Sequence, residues 1–265
     1  MKIGVMVESF RRGFRGGVES AAALGADGIQ AYATGGELAV DTMTPARVRE
    51  VLDIVKSNGL RFSAICGDFG VGFEDEEKNK IYVEKSMRVL DLAKELECDV
   101  VTTHIGHVPS EECATKEIMR KACRKLALYA DSIHSSFAVE TGPESGEVLA
   151  NFLDSLGAGG VRVNFDPANL VMCAGDPPLN ALKYLSKYIV HTHAKDGIKT
   201  TETPCGYLEV PLGQGGVNFD TYLPALRATG YDGVLTIERE VGETPEADIA
   251  LAADFLREKI AKYSL

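Results

Sequence analysis

Four short apolar runs in the second half of the chain each end on a residue type that binds metals. SFAVE reaches Glu140, VRVNFD reaches Asp166, YIVHTH reaches His193 and GVLTIE reaches Glu238. Runs rich in Val, Ile and Phe between Gly, Pro and Asp read as buried strands of a parallel sheet. The first three ligand types recur at the length of one strand plus one crossover helix, about 30 residues. The last interval is one such unit enlarged by a Gly-rich stretch. Side chains at the carboxyl ends of neighbouring parallel strands converge, and catalytic residues of barrel enzymes collect at that end. Three carboxylates and an imidazole suit Mn²⁺, Mg²⁺ or Co²⁺ better than a thiolate-loving ion. Singly, each is equally readable as a satisfied rim group. Four at four successive strand ends favour a metal.

Other residues near these ends are weaker candidates. His191 lies two before His193, so it points the same way one layer deeper, as a supporting or core residue. His104 closes DVVTTH and reads equally as a substrate contact or a buried, hydrogen-bonded imidazole. His107 reads as loop, as do Asp68 and Phe69. Lys195 stands at the mouth and could bind an oxyanion or pair with a carboxylate. The Gly213–Gly216 turn could cradle a phosphate through its N–H groups or be a plain turn. Glu8 falls at the loop end of the first strand.

Positioning such residues takes a repeated strand–helix unit, and the chain supplies eight. The strands are KIGVMV (2–7), DGIQAYA, LRFSAIC, DVVTTH, SFAVE, VRVNFD, YIVHTH and GVLTIE. After the first, RRGFRGG reads as loop and VESAAALGA as a short helix ending at Gly25. Thr44-Pro45 is an N-cap with proline at the first helical position, and Gly59 stops that helix. DEEKNKIYVEKSMRVLDLAKELEC is amphipathic with acidic residues in its first turn. Further helices are expected at about 110–132, over 144–157, after Asp176-Pro177, over NFDTYLPALRATG, and from Thr244-Pro245 onward. Residues 195–217 read as one long loop. Alternation of this kind means a parallel sheet, and eight units is the number that closes into a (β/α)₈ TIM barrel. A doubly wound sheet would carry a Gly-rich fingerprint after its first strand, which the glycines at 13, 16 and 17 do not match.

The 265 residues fit one such domain, 1–265, with 45% hydrophobic and 25% charged residues. A net charge of −11 argues against a nucleic-acid partner, because phosphate backbones are held by clustered Lys and Arg. No signal-peptide h-region and no membrane-length apolar stretch is present. Six scattered cysteines without a CxxC fit reduced thiols in a cytoplasm.

The chain resembles the xylose isomerase-like TIM barrels, in particular the sugar phosphate isomerase/epimerase group, over essentially its whole length. The carriers are Glu140 in AVETGPE, Asp166 in NFDPANL, His193 in HTHAKDG and Glu238 in LTIERE, with LGQG at 212–215. The resemblance implies that Glu140, Asp166, His193 and Glu238 hold one divalent ion, Mn²⁺ foremost, with Mg²⁺, Co²⁺ or Zn²⁺ as alternatives. It also implies that Glu140 and Glu238 act as an acid/base pair on a sugar or sugar phosphate. His104, Asn169, Lys195 and Glu8 complete the expected substrate-binding set. The chemistry agrees: moving a proton beside a carbonyl needs stabilised oxygens, a base, and for epimerisation an acid on the other face.

Asn169 stands where ketose 3-epimerases and the endonuclease IV branch carry a histidine. VPLGQGG also lacks the extra Asp and His ligands of endonuclease IV. The expected function is therefore a divalent-metal-dependent sugar isomerase or epimerase. Hydroxypyruvate isomerase and inosose dehydratase chemistries are alternatives on the same fold. The nuclease stands behind them, and a metal-free carbohydrate-binding barrel is the reading outside enzymes. A homo-oligomer is compatible with the sequence.

Overall fold

Strands buried on both faces must be covered by helices, and here the sheet closes on itself inside a helical ring. The computed structural model describes residues 1–265. In chain order the strands are β1 (Lys2–Met6), β2 (Gly28–Tyr32), β3 (Phe62–Cys66), β4 (Val100–Thr103), β5 (Ser136–Glu140), β6 (Val161–Phe165), β7 (Ile189–Ala194), β8 (Asp196–Lys199), β9 (Tyr207–Val210) and β10 (Val234–Ile237). β1 to β7 pair in sequence order, and β10 closes the barrel between β7 and β1. β8 and β9 form a separate antiparallel hairpin over the mouth.

The ring consists of α1 (Gly13–Ala23), α2 (Pro45–Ser57), α3 (Glu76–Glu95), α4 (Ala114–Ser132) and α5 (Gly146–Asp154). It continues with the short α6 (Pro167–Asn169), which runs on as a π-turn over Leu170–Ala174, then α7 (Pro178–Leu185), α8 (Phe219–Ala228) and α9 (Pro245–Tyr263). The Thr44 cap is the one the sequence signals, whereas Thr244 makes no side-chain cap bond. Thr44 Oγ1 accepts from Arg47 N with Pro45 behind it, Asp75 accepts from the N–H groups of Glu77 and Lys78, and Asn218 accepts from Thr221 N.

Two local expectations are corrected. The stretch read as loop after β1 is already helix from Gly13, after a 3₁₀ turn over Val7–Phe10. Glycine is required where this helix crosses the turn, since a Cβ at Gly17 would lie 2.5 Å from Val7 Cγ1. The long loop 195–217 contains the β8–β9 hairpin. No helix of the chain is long and apolar enough to cross a membrane.

The barrel interior beneath the mouth is polar. Gln30 on β2, Thr102 on β4, Asn164 on β6 and Thr236 on β10 are all at most 1% exposed. They come from alternate strands of the closed sheet, the arrangement by which barrel interiors fill in layers of four. The two register irregularities of the barrel fall between Ile29 and Gln30 and between Val163 and Asn164. Bulges re-aim a side chain, and here they fall at two members of this layer.

Glu144 is a buried acid outside that layer. Its carboxylate accepts only a long 3.4 Å bond from Val108 N, and burial pushes its pKa up to about 7. The unfolded chain then loses this proton at lower pH than the folded one, so the folded state binds more protons between the two pKa values and stability falls as pH rises through that window. From the ordinary value near 4.5 to about 7, the loss is at most roughly 3 kcal/mol. Glu144→Gln is expected to flatten this part of a chemical-denaturation stability profile. An unchanged slope between pH 5 and 7 would show that Glu144 ionises normally in the fold.

Candidate metal and active site

The four strand-end residues meet. Glu140 ends β5, Asp166 follows β6, His193 lies on β7 and Glu238 follows β10. One ligand atom from each lies within 4.8 Å of all the others, and all four residues are buried. His193 Nδ1 faces all three carboxylates, at 3.4 Å from Glu140 Oε2, 3.6 Å from Asp166 Oδ2 and 3.2 Å from Glu238 Oε2. The charges on Glu238 and Glu140 push the imidazole pKa well up against the opposing effect of burial. Three buried carboxylates around one nitrogen call for positive charge at their centre.

The detail fits a divalent cation. Asp166 Oδ1 accepts from the N–H groups of Ala168 and Asn169, capping α6. Its Oδ2 is buried and has no hydrogen-bond partner. Such an orphan oxygen aimed into a cluster of oxygen and imidazole donors is what a bound cation would satisfy. The cluster could hold one divalent ion.

The polar layer below fixes the ligands. His193 Nε2 lies 3.1 Å from Gln30 Oε1, an oxygen that can only accept, so Nε2 is the donor in that contact and Nδ1 is the nitrogen that would be offered to a bound ion. Gln30 is held in turn by donating to Thr102 Oγ1 at 2.9 Å. His191 lies one layer beneath and is not a ligand. Its Nδ1 meets Asn164 Oδ1 and its Nε2 meets Thr236 Oγ1, both at 2.9 Å. Burial holds it well below the usual histidine range and hence neutral. Asn164 Nδ2 then donates to Glu140 Oε2 at 3.0 Å. A chain of polar contacts thus runs from Thr236 through His191 and Asn164 to the candidate ligand Glu140.

A cavity of about 410 Å³ opens over this cluster. Of the residues expected to bind substrate, His104, Asn169 and Lys195 line it. Asn169 Nδ2 donates to Glu140 Oε1 at 2.8 Å. His104 is half-exposed to the cavity, with Nε2 at 3.6 Å from the same Oε1 and Nδ1 at 2.7 Å from Asp68 Oδ2. The charge on Glu140, helped by Asp68, pushes the His104 pKa up to about 9 against burial. Burial acts to raise Asp68, yet the His104 contact holds it below the usual carboxylate range. Asp68 was read only as loop, although in the structure it orients His104.

Glu8 departs from expectation. The first strand ends at Met6, the 3₁₀ turn carries Glu8 sideways, and its carboxylate accepts from Tyr32 N in an adjoining cleft. It does not line the main cavity. Cys66 does, but burial pushes its thiol up, so it is no thiolate nucleophile.

Of the two readings of Lys195, pairing with a carboxylate is the one seen, and the glycine turn holds an anion of the chain itself. Lys195 is 5% exposed. Its Nζ donates to Glu238 Oε2 at 3.1 Å and to Glu240, with Glu209 Oε2 at 3.9 Å. Burial acts to raise Glu238, but the charges of His193 and Lys195 hold it well below the carboxylate range. The N–H groups read as a phosphate cradle are already occupied. Gly213, Gly215 and Val217 donate to the buried Asp196 carboxylate at 2.9–3.0 Å, and Gly197 N adds a fourth bond at 2.9 Å. The loop binds its own anion.

Fold and site together define a barrel with a carboxylate–imidazole centre at the carboxyl ends of its strands. The family model for the xylose isomerase-like TIM barrel matches residues 18–259, and the chain belongs to that family. An L-ribulose-5-phosphate 3-epimerase, UlaE, of Salmonella paratyphi A is 35% identical over 79 residues, covering 29% of this chain and 26% of the relative. The chain thus matches only about a quarter of that relative's length. Among solved structures, a xylose isomerase domain protein from Planctomyces limnophilus superposes with a TM-score of 0.85 at 25% identity, covering 99% of this chain and 98% of that one. The D-psicose 3-epimerase of Clostridium cellulolyticum H10 with D-tagatose gives 0.77 at 15% identity, covering 98% and 99%.

Proposed function

We propose that the protein is a divalent-metal-dependent sugar isomerase or epimerase that moves a proton on a carbon beside a carbonyl, with Glu140 and Glu238 as the acid/base pair. The observation that carries this is the convergence of Glu140, Asp166, His193 and Glu238, with the Asp166 Oδ2 orphan facing the cluster. Mn²⁺ is our first choice of ion, because the donors are carboxylate oxygens and one imidazole. The ion would polarise the substrate's carbonyl and hydroxyl oxygens and stabilise the negative charge that develops on them.

The chain's own residues then do the rest. Glu140 is divided between two tasks. Its Oε2 faces His193 and Asn164, while Oε1 faces Asn169 and His104 on the cavity side. Proton transfer therefore belongs to Oε1. Glu238 comes from the other side of the cluster, with β6 and β7 between its strand and that of Glu140. Glu238, ionised beside Lys195, is our choice of base. Burial acts to raise Glu140, but the charges of His193 and His104 also hold it below the carboxylate range. It would return to the other face a proton passed to its Oε1 from the His104 imidazolium. His104, oriented by Asp68, and the Asn169 amide would hold substrate oxygens, and the buried floor keeps bulk water from the reacting carbon.

The fold relatives with epimerase names support the reaction class. The test is incubation of Mn²⁺-loaded protein with a panel of aldoses and ketoses. Interconversion that stops on chelation is expected, and the absence of conversion across the panel would contradict the proposal.

A further inference from the structure

We infer that the cavity takes an uncharged polyhydroxy substrate, a free sugar in place of a sugar phosphate, and that Asp196, Lys195 and Glu240 set this choice. The inference rests on reading the cavity as a sugar-converting site. A phosphate ester is held by backbone N–H nests, helix N-termini or free Lys and Arg. Around this mouth the N–H nest, Lys195, Arg239 and Arg11 are each taken by a group of the chain itself, and Lys199 lies on the hairpin outside the cavity wall.

The one nest in the loop after β7 is filled. Four N–H groups, from Gly197, Gly213, Gly215 and Val217, all point at the Asp196 carboxylate, which is 1% exposed. A Cβ built at Gly215 would fall 2.2 Å from Asp196 Oδ1, so the turn is closed tightly on that anion with no room for another. The nearby cations are no freer. Lys195 is enclosed by Glu238, Glu240 and Glu209. Arg239 is paired with Glu209 at 2.6 Å and Asp248 at 2.8 Å. Arg11 donates to the carbonyl oxygens of Gly242 and Glu240.

What remains in the cavity wall is rich in acceptors. Asp68, Glu140, Glu238 and Glu240 line it, with Asp166 behind. Counting a divalent ion, Lys195 and a charged His104 against these five carboxylates still leaves the cavity negative. A dianion entering it meets like charge and finds no open N–H nest and no unpaired Lys or Arg in the wall, which is how a site discriminates against a charged analogue. A free sugar is the complementary ligand. Its hydroxyls can donate to these carboxylates, and Tyr32 and Tyr207 in the cavity lining add amphipathic surface suited to a sugar.

Unreactive polyols separate recognition from turnover. Ribitol, arabinitol and glucitol, each compared with its own terminal monophosphate, are titrated calorimetrically into the Mn²⁺-loaded full chain. At least one polyol is expected to bind about 10-fold or more tightly than its monophosphate, as like-charge juxtaposition demands. Glu240→Gln, which removes a mouth carboxylate and one of the charges facing Lys195, is expected to narrow that ratio by about 5-fold or more. Lys56→Ala, in a surface pair with Glu97 and away from the cavity lining, is expected to leave it unchanged. A monophosphate that binds as well as or better than its polyol overturns the inference, and so does failure of every polyol to bind. If polyols bind with this preference but no sugar of the panel is converted, the proposed function fails while the substrate class stands.

Discussion

Glu140→Gln and Glu238→Gln are each expected to lower kcat by about 10²-fold or more while the variant still takes up the ion, because glutamine keeps one ligand oxygen and removes the proton-accepting charge. The two should fail differently. If the glutamates serve opposite faces of the substrate carbon, a variant lacking one can still exchange the proton on the surviving face with D₂O without inverting the carbon. Glu140 Oε2 accepts from Asn164 and Oε1 from Asn169, so its glutamine variant must turn an amide N–H toward one of two donors. Some loss of affinity for the ion is therefore expected there. Glu238→Gln releases Lys195 from its 3.1 Å contact, so that variant tests the acid/base role together with the lysine's partner. Wild-type kcat in either ion-loaded variant would refute the acid/base assignment.

The second large effect is on the ion itself. Saturation at 100 times the dissociation constant should stabilise the fold by about 2.7 kcal/mol, a rise in Tm of roughly 5–10 °C for a chain of this size. Asp166→Ala should abolish this rise. Changing groups that merely support metal ligands already costs 10–100-fold in affinity, so losing a ligand oxygen that has no hydrogen-bond partner in the fold should cost about 100-fold or more. The structure gives a sharper comparison in Gln30. Gln30→Leu breaks the contact that fixes the His193 tautomer, and should weaken Mn²⁺ binding by about 10-fold with the four ligands intact. An equal Mn²⁺-induced rise in Tm for wild type and Asp166→Ala would place the ion elsewhere.

Much of this was legible from residue order. A parallel barrel sends strand-end residues to one mouth, so Glu140, Asp166, His193 and Glu238 could be assigned to one cluster before any coordinates. The supporting layer left a signal that the strand reading used only for His191. Asn164 lies two before Asp166, Thr102 two before His104, and Thr236 two before Glu238, each a polar residue on the inward face of a run expected to be apolar. Burying amides and hydroxyls at such positions is tolerable only when they satisfy one another, which they do.

Other features were not legible for physical reasons. A Gly-rich run advertises N–H groups but not the anion they hold, and here the anion is Asp196, brought to the turn by the β8–β9 hairpin. Glu8 was misplaced because one residue decides whether a side chain leaves a strand upward or a turn sideways, and β1 ends at Met6. Asp68 meets His104 only through barrel closure of neighbouring units, a contact no local pattern announces.

The most direct measurement of the central claim is deuterium uptake from D₂O into a sugar of the panel, read by mass spectrometry with and without the divalent ion. Proton transfer by Glu140 and Glu238 predicts deuterium at the carbon beside the carbonyl in the product, appearing only with the ion-loaded protein. Glu238→Gln should form no deuterated product and confine any exchange to unconverted substrate. Product formed with no deuterium at that carbon, or uptake that persists after the ion is removed, would contradict the account.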